Sequence, residues 1–309
     1  MTSPFARAEA ILREANGDRV RVNLPIAPLT TFRIGGPAAL FLEPESEDDL
    51  AAAGRAIVET DLPFVVIGKG SNLLVSDEGF PGLVLRLGRG YRWASREARM
   101  LRVGGALPLP ALSGVALRHE LAGLEFGVAI PATVGGAVRM NAGAHGGAMS
   151  DVVSEVDVFR LRQGFVERLS SADAGFSYRR STLPDDAVVV ATAVVLAADT
   201  TERIRARMEE ARAWRRRTQP LAEPNCGSVF KNPPGDHAAR LIEAAGLKGL
   251  RVGGAQVSTK HANFIVTDVD AQARDVVALI ETIQDRVQAD AGVRLDPEVH
   301  LIGAFADAN

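Results

Sequence analysis

Nine consecutive residues, Asn225-Cys226-Gly227-Ser228-Val229-Phe230-Lys231-Asn232-Pro233, gather a thiol, a hydroxyl, an ammonium and a carboxamide in one stretch bounded by Gly and Pro. Polar groups crowded where the chain turns sharply are costly to bury, so such a segment belongs at the wall of a cleft. Two side chains in it could do chemistry. Cys226 is the only cysteine of the chain. As a thiolate it would be a nucleophile, but nothing in the sequence supplies its partner, and a free Cys is more often a small buried apolar residue. Ser228 is the alternative, a weak acid that works only when held in line with a reacting atom.

Other motifs supply binding groups. Gly68-Lys69-Gly70-Ser71-Asn72 follows an apolar run at residues 64–67. Glycines there let main-chain N–H groups approach an anion, and Ser71 and Asn72 add donors. It lacks the Gly-Lys-Ser/Thr ending of a phosphate-binding P-loop, and Leu73-Leu74-Val75 continues extended rather than opening a Rossmann helix. A plain tight turn and a phosphate cradle both remain open for it. Ile130-Pro131-Ala132-Thr133-Val134-Gly135-Gly136-Ala137 is a second small-residue loop, leading to Asn141-Ala142-Gly143. Two such loops in one region favour a nucleotide cofactor over two chance turns. Tyr178-Arg179 pairs an aromatic with a guanidinium suited to a carboxylate or phosphate. In isolation it reads more readily as a solvated surface turn, and Glu298 as a solvated strand end. The five histidines show no ligand spacing, so no metal site is expected.

The elements that must position these groups follow from pattern. With 309 residues, 47% hydrophobic and 24% charged, the chain is long enough for two or three domains. A net charge of −3 gives no reason to expect nucleic acid or an anionic membrane as partner. A single cysteine excludes an internal disulfide and suits a reducing compartment. The longest apolar run, residues 187–198, is too short to span a bilayer and reads as a buried strand. A soluble cytoplasmic protein is expected. Residues 1–20 read as an amphipathic helix. Strands are expected at 39–42, 64–67, 83–87, 100–103, 152–161, 166–169 and 188–196. Helices are expected at 47–59, capped by Ser46, and at 109–121. Residues 201–217 form a highly charged helix with few apolar positions, a connector exposed on most faces. Beyond the 225–233 loop come a helix at 238–245 stopped by Gly246 and strands at 254–257 and 263–266. A long helix opened by Asp270 follows, with Val276, Ile280, Ile283 and Val287 on its core face, and a last strand at 299–302.

Taken together, these segments resemble the UDP-N-acetylenolpyruvoylglucosamine reductase family of flavoenzymes. The match begins at Leu29-Thr30-Thr31-Phe32-Arg33-Ile34-Gly35-Gly36-Pro37-Ala38 and runs almost to the C-terminus. The resemblance implies non-covalent FAD held by Gly68, Lys69, Gly70, Ser71 and Asn72 and by Ile130, Pro131, Ala132, Thr133, Gly135 and Gly136. It implies NADPH as hydride donor and a UDP-N-acetylglucosamine enolpyruvate as substrate. Three catalytic roles carry over: Ser228 as proton donor to carbon, Arg179 as the cation beside the substrate carboxylate, and Glu298 nearby. Tyr178, Arg217, Lys231 and Asn232 are then candidate substrate contacts. Ala132 stands where the family often has Gly, tolerable if its φ is negative. Only Leu183-Pro184-Asp185-Asp186 links Ser181 to the next strand, so the tyrosine-bearing insertion of the family's longer branch has no room.

The fold implied is α+β. Residues 1–90 and 91–200 would form a two-part FAD-binding region of the vanillyl-alcohol-oxidase type, and residues 201–309 a smaller α+β substrate-binding domain. The function implied is NADPH-dependent, FAD-mediated reduction of the enolpyruvyl sugar to UDP-N-acetylmuramate in peptidoglycan precursor synthesis. The alternatives are a sugar or alcohol oxidase of the same flavin fold and a non-enzymatic nucleotide-sugar-binding flavoprotein.

Overall fold

The computed structural model describes residues 4–305. Its contacts divide the chain into two compact units, each assembled from three separate segments. The first holds Met1–Val22, Leu40–Lys69 and Gly82–Trp214; the second holds Asn23–Ala39, Gly70–Pro81 and Arg215–Asn309.

The first unit is built on a five-stranded antiparallel sheet. Its order is Phe165–Ser170, Val153–Arg160, Ala187–Val195, Met100–Gly104, Ala94–Glu97. The central strand explains its own Val-rich sequence. Val188 and Val190 pack with Phe159 and Leu161 on one face, Val189 and Val194 with Val156 and Val158 on the other. A strand covered on both faces reads as a continuous apolar run rather than an alternation.

Helix α1, Pro4–Asn16, and helix α2, Glu47–Thr60, lie on the Phe159 side through Ala8, Leu12, Leu50, Ala53 and Ile57. The expected N-terminal helix thus ends at Asn16, and residues 1–3 of that expectation lie outside the described residues. Ser46 caps α2 as expected. Its hydroxyl accepts from Asp49 N at 3.3 Å, and the Asp49 carboxylate accepts from Ser46 N at 3.2 Å. Arg19 pairs with the same carboxylate at 2.7 Å. Helix α3, Leu109–Arg118, and helix α4, Val134–Arg139, cover the opposite face through Leu109, Leu112, Ala116, Val134, Ala137 and Val138. Phe64–Val66 runs parallel to Phe80–Leu85 in a four-stranded sheet that also contains Pro37–Leu42 and Arg21–Pro25. Helix α5, Thr201–Thr218, buries only Ile204, Met208 and Ala211, as its charged sequence predicts.

In the second unit a three-stranded antiparallel sheet, Arg251–Val252, Ala255–Val257, Ile265–Thr267, packs on two helices. These are α6, Ala238–Ala244, and α7, Ala273–Ala291. Val276, Ile280, Ile283 and Val287 are all buried, together with Leu279, Leu241 and Ile242. Residues far apart in sequence complete this core. Phe32 and Leu74 belong to it, and Leu73–Val75 pairs in parallel with the last strand, His300–Ile302.

One boundary differs from expectation. Helix α7 starts at Ala273, and Asp270 does not cap it. Its first two amides, Ala273 and Arg274, donate to the Asp77 carboxylate at 2.7 and 3.2 Å. The cap is supplied by a residue distant in the chain.

Candidate active site

The loop at residues 225–233 lies in the second unit and is built from its buried residues outward. Cys226 is 3% exposed, and Val229 and Phe230 are 1% exposed. These three anchor the loop in the core and leave Ser228 half-buried between them. Asn225 makes the turn. Its Oδ1 accepts from Gly227 N at 2.9 Å while its Nδ2 donates to Pro220 O and Glu223 O. Gly227 has φ +82°, and a Cβ there would meet nothing within 4 Å, so its glycine answers a backbone need and not a lack of space.

Ser228 and Glu298 are brought together by main-chain pairing. Glu298 N donates to Val229 O at 2.7 Å, and Phe230 bridges Pro297 in antiparallel fashion. Asn72 joins them, its Nδ2 donating to Glu298 O at 3.1 Å and its carbonyl accepting from His300 N at 3.0 Å. Thr31 ties this loop to the glycine segment. Thr31 N donates to Gly70 O at 3.1 Å, and Asn225 N donates to Thr31 O at 3.2 Å. Burial, and secondarily the Glu298 carboxylate, push the Cys226 thiol well above its ordinary pKa. Cys226 is therefore a packed, protonated thiol, which leaves the half-buried Ser228 hydroxyl as the candidate group of this loop.

The two glycine loops have different jobs. A Cβ on Gly68 would sit 2.5 Å from Thr133 Oγ1, so within the first unit these two expected cofactor segments lie against each other. In the second segment most of the amides are already used. Val134 N donates to Leu107 O and Gly135 N to Gly105 O, both at 2.8 Å, and Gly136 N to Thr133 Oγ1 at 3.2 Å. In the first segment the N–H groups of Gly68 and Lys69, in the first unit, and of Gly70, Ser71 and Asn72, in the second, donate to no protein acceptor among the described residues. Gly70 adopts φ +63°, and a Cβ there would lie 2.3 Å from Leu29 O. In the second unit, unspent amides beside the left-handed Gly70 are of the kind a phosphate oxygen needs. The second-unit residues 70–72 therefore fit a phosphate oxygen of a dinucleotide.

Arg179 belongs to the first unit, in a tight turn closed by Ser177 N to Arg180 O at 2.9 Å and Arg180 N to Ser177 O at 3.1 Å. Its φ is +57°, a left-handed conformation uncommon for a side chain this large. Its guanidinium carbon lies 5.3 Å from the ring centre of Tyr178, which is 56% exposed. The end of α4 holds this turn. Asn141 Nδ2 donates to Ser177 O at 2.9 Å, Ser181 Oγ donates to Arg139 O at 2.7 Å, and Arg139 Nη1 donates to Leu183 O and Pro184 O at 2.8 Å each.

The remaining expected contacts have intramolecular work. Lys231 pairs with Asp296 at 2.7 Å, and Asn232 Oδ1 accepts from Ala238 N at the start of α6. Arg217 is exposed near the end of α5. Sequence reading missed Asn141 and Asn263, whose carboxamides lock the Arg179 turn and the Ser228 loop. Asn141 carried only the weak signal of an Asn after a glycine-rich motif, and Asn263, 33 residues from Phe230, carried none.

Comparison with known proteins decides what this arrangement belongs to. The model of the FAD binding domain matches residues 38–170, and that of the UDP-N-acetylenolpyruvoylglucosamine reductase C-terminal domain matches residues 219–302. The UDP-N-acetylenolpyruvoylglucosamine reductase of Heliobacterium modesticaldum is 48% identical over 281 residues, covering 90% of this chain and 89% of that protein. UDP-N-acetylenolpyruvoylglucosamine reductase 2 of Symbiobacterium thermophilum is 47% identical over 304 residues, 97% of each chain.

The chain belongs to the UDP-N-acetylenolpyruvoylglucosamine reductase family.

The solved reductase of Thermus caldophilus matches with a TM-score of 0.80 at 39% identity, covering 92% of this chain and 99% of that one. A glucose oxidase variant of Phl p 4 shares the fold alone, with a TM-score of 0.50 at 15% identity over 62% of this chain and 44% of that one. The fold is accordingly the expected α+β arrangement with an FAD-binding region of the vanillyl-alcohol-oxidase type. Where the reductase family often carries Gly, Ala132 has no positive φ, so its methyl group is accommodated without backbone strain. No helix among the described residues is long and apolar enough to cross a membrane.

Proposed function

We propose that this chain catalyses the reaction for which its relatives are named, reducing the enolpyruvyl ether of UDP-N-acetylglucosamine to the lactyl ether of UDP-N-acetylmuramate. Bound FAD would supply the hydride relay, taking hydride from NADPH and delivering it to the terminal vinyl carbon, chemistry that no side chain can perform. Ser228 donates the proton to the adjacent carbon, its Oγ–H bond breaking as the C–H bond forms; solvent restores the proton afterwards. Arg179 binds the substrate carboxylate and stabilises the negative charge pushed onto it during hydride addition. Glu298, whose main chain pairs with the residue after Ser228, would in its protonated form donate a hydrogen bond to the enolic carboxyl. The amides of residues 68–72 hold the cofactor diphosphate. Tyr178, Arg217, Lys231 and Asn232 are the residues we assign to the nucleotide sugar, with Lys231 and Asn232 exchanging their present partners for it. A lone buried thiol suits a reducing compartment, and we assign the protein to the cytoplasm.

The observation that carries this reading is the main-chain bond from Glu298 to Val229, which pairs the Glu298 segment with the residue after Ser228 while the neighbouring thiol stays protonated. The test is NADPH oxidation by the flavin-loaded protein under argon. Oxidation that requires the UDP-enolpyruvyl sugar, with release of free flavin on heat denaturation, is expected. Oxidation driven by oxygen and indifferent to the sugar would make the protein an oxidase of the same fold. Flavin that NADPH never bleaches would make it a binding protein.

A further inference from the structure

Ser228 can protonate carbon only if its Oγ is held in line, and Gly227 on its N-terminal side gives the chain freedom rather than restraint. The restraint comes from the two residues that follow, and most of it comes from one side chain. Val229 N donates to Asn263 O at 2.9 Å. Phe230 N donates to Asn263 Oδ1 at 2.9 Å, and Asn263 Nδ2 donates to Phe230 O at 2.8 Å. The carboxamide therefore imitates the edge of a strand, offering one acceptor and one donor to the two main-chain groups of a single residue. Asn263 is 4% exposed, so water cannot replace it without repacking. Its own amide donates to His261 Nδ1 at 3.3 Å, and Glu298 N closes the remaining side of Val229.

We propose that Asn263 is a positioning residue for proton transfer by Ser228. Its two-point grip on Phe230 and its carbonyl on Val229 fix the main chain immediately after Ser228, and with it the direction of the Ser228 Oγ–H bond. This rests on the reading of Ser228 as the proton donor. Asn is the one residue of this size that presents both a donor and an acceptor without charge. Asp would keep the acceptor and lose the donor until it binds a proton.

The experiment compares Asn263→Ala, Asn263→Asp and Ser228→Ala in the flavin-loaded protein. Flavin reduction by NADPH and flavin reoxidation by the UDP-enolpyruvyl sugar are measured separately, and amide hydrogen exchange at Val229 and Phe230 is measured without substrate. In Asn263→Ala, reduction is expected within about threefold of the parent and reoxidation slowed about 10²-fold, the cost of a misplaced reacting group. Exchange at Val229 and Phe230 should rise. In Asn263→Asp, reoxidation and amide protection should both recover towards the parent as pH falls and the carboxyl gains its donor. His261 and Glu298 are the titratable neighbours, and the parent's pH profile measured in parallel carries their contribution. If Asn263→Ala does not fold, Asn263→Asp carries the test through its pH-dependent recovery. Equal loss in both half-reactions, reoxidation near that of the parent, or no recovery of Asn263→Asp at low pH overturns the proposal. Normal reoxidation in Ser228→Ala would instead remove the reading beneath it; slow Ser228→Ala with normal Asn263→Ala removes the positioning role alone.

Discussion

The amide of Glu298 donates to the carbonyl of Val229 at 2.7 Å, which registers the last strand of the chain against the residue directly after Ser228. One main-chain bond thus couples two side chains that lie far apart in sequence. The thiol two residues before Ser228 is inert chiefly because it is buried, and the Glu298 charge adds to that effect.

The thiol gives a pH prediction. Its folded pKa is raised above the unfolded value, by burial first and Glu298 second. A group of this kind contributes stability that is fully present below the unfolded pKa, about 8.5, and lost as pH rises towards the folded one. Between pH 8 and 10 the parent should lose stability faster than Cys226→Ala, by at most about 1.4 kcal/mol per pH unit in denaturant titrations. Iodoacetamide should label the thiol only on unfolding, and Cys226→Ala should keep turnover within about tenfold of the parent. Parallel stability curves for the two proteins, or rapid labelling of the native thiol, would contradict this.

Arg179 separates stability from function. Its φ of +57° costs a large side chain about 1 kcal/mol or more, a cost glycine does not bear. Arg179→Gly should therefore unfold at the same temperature as the parent or slightly higher while losing reduction of the enolpyruvyl sugar. NADPH should still bleach its flavin. A stable Arg179→Gly protein with normal sugar reduction would remove Arg179 from the site.

Asp77 accepts from Ala273 N and Arg274 N at the first turn of α7. Replacing an N-terminal cap by Ala costs about 1–2 kcal/mol. Asp77→Ala should lose that much in urea titration, with faster hydrogen exchange confined to the first turn of α7. An unchanged midpoint would show that water satisfies those amides equally well.

What was legible in the sequence was local. Ser46 announced the start of α2, and the spacing of Val276, Ile280, Ile283 and Val287 announced the buried face of α7. The start of α7 was not legible, because its cap comes from Asp77, 196 residues earlier. Nor was the division of labour between the glycine loops. Composition marks both as able to offer amides, but only the pairing of Gly135 with Gly105 and Val134 with Leu107 reveals that the second loop has spent most of its own. Asn263 was silent for the same reason: a carboxamide that mimics a strand edge is known only by the backbone opposite it. The interleaved segments of the two compact units likewise depend on pairings such as Leu73–Val75 with His300–Ile302, which periodicity cannot foresee.

The most direct measurement is the half-reaction of Ser228→Ala. Under argon, NADPH should bleach the flavin absorbance of the parent and of Ser228→Ala at similar rates. Adding the UDP-enolpyruvyl sugar should then restore the absorbance of the parent at once and that of Ser228→Ala about 10²–10⁴-fold more slowly, the worth of a positioned proton donor. Restoration at the parent's rate would show that the proton comes from elsewhere and that the Ser228 hydroxyl is not the acid.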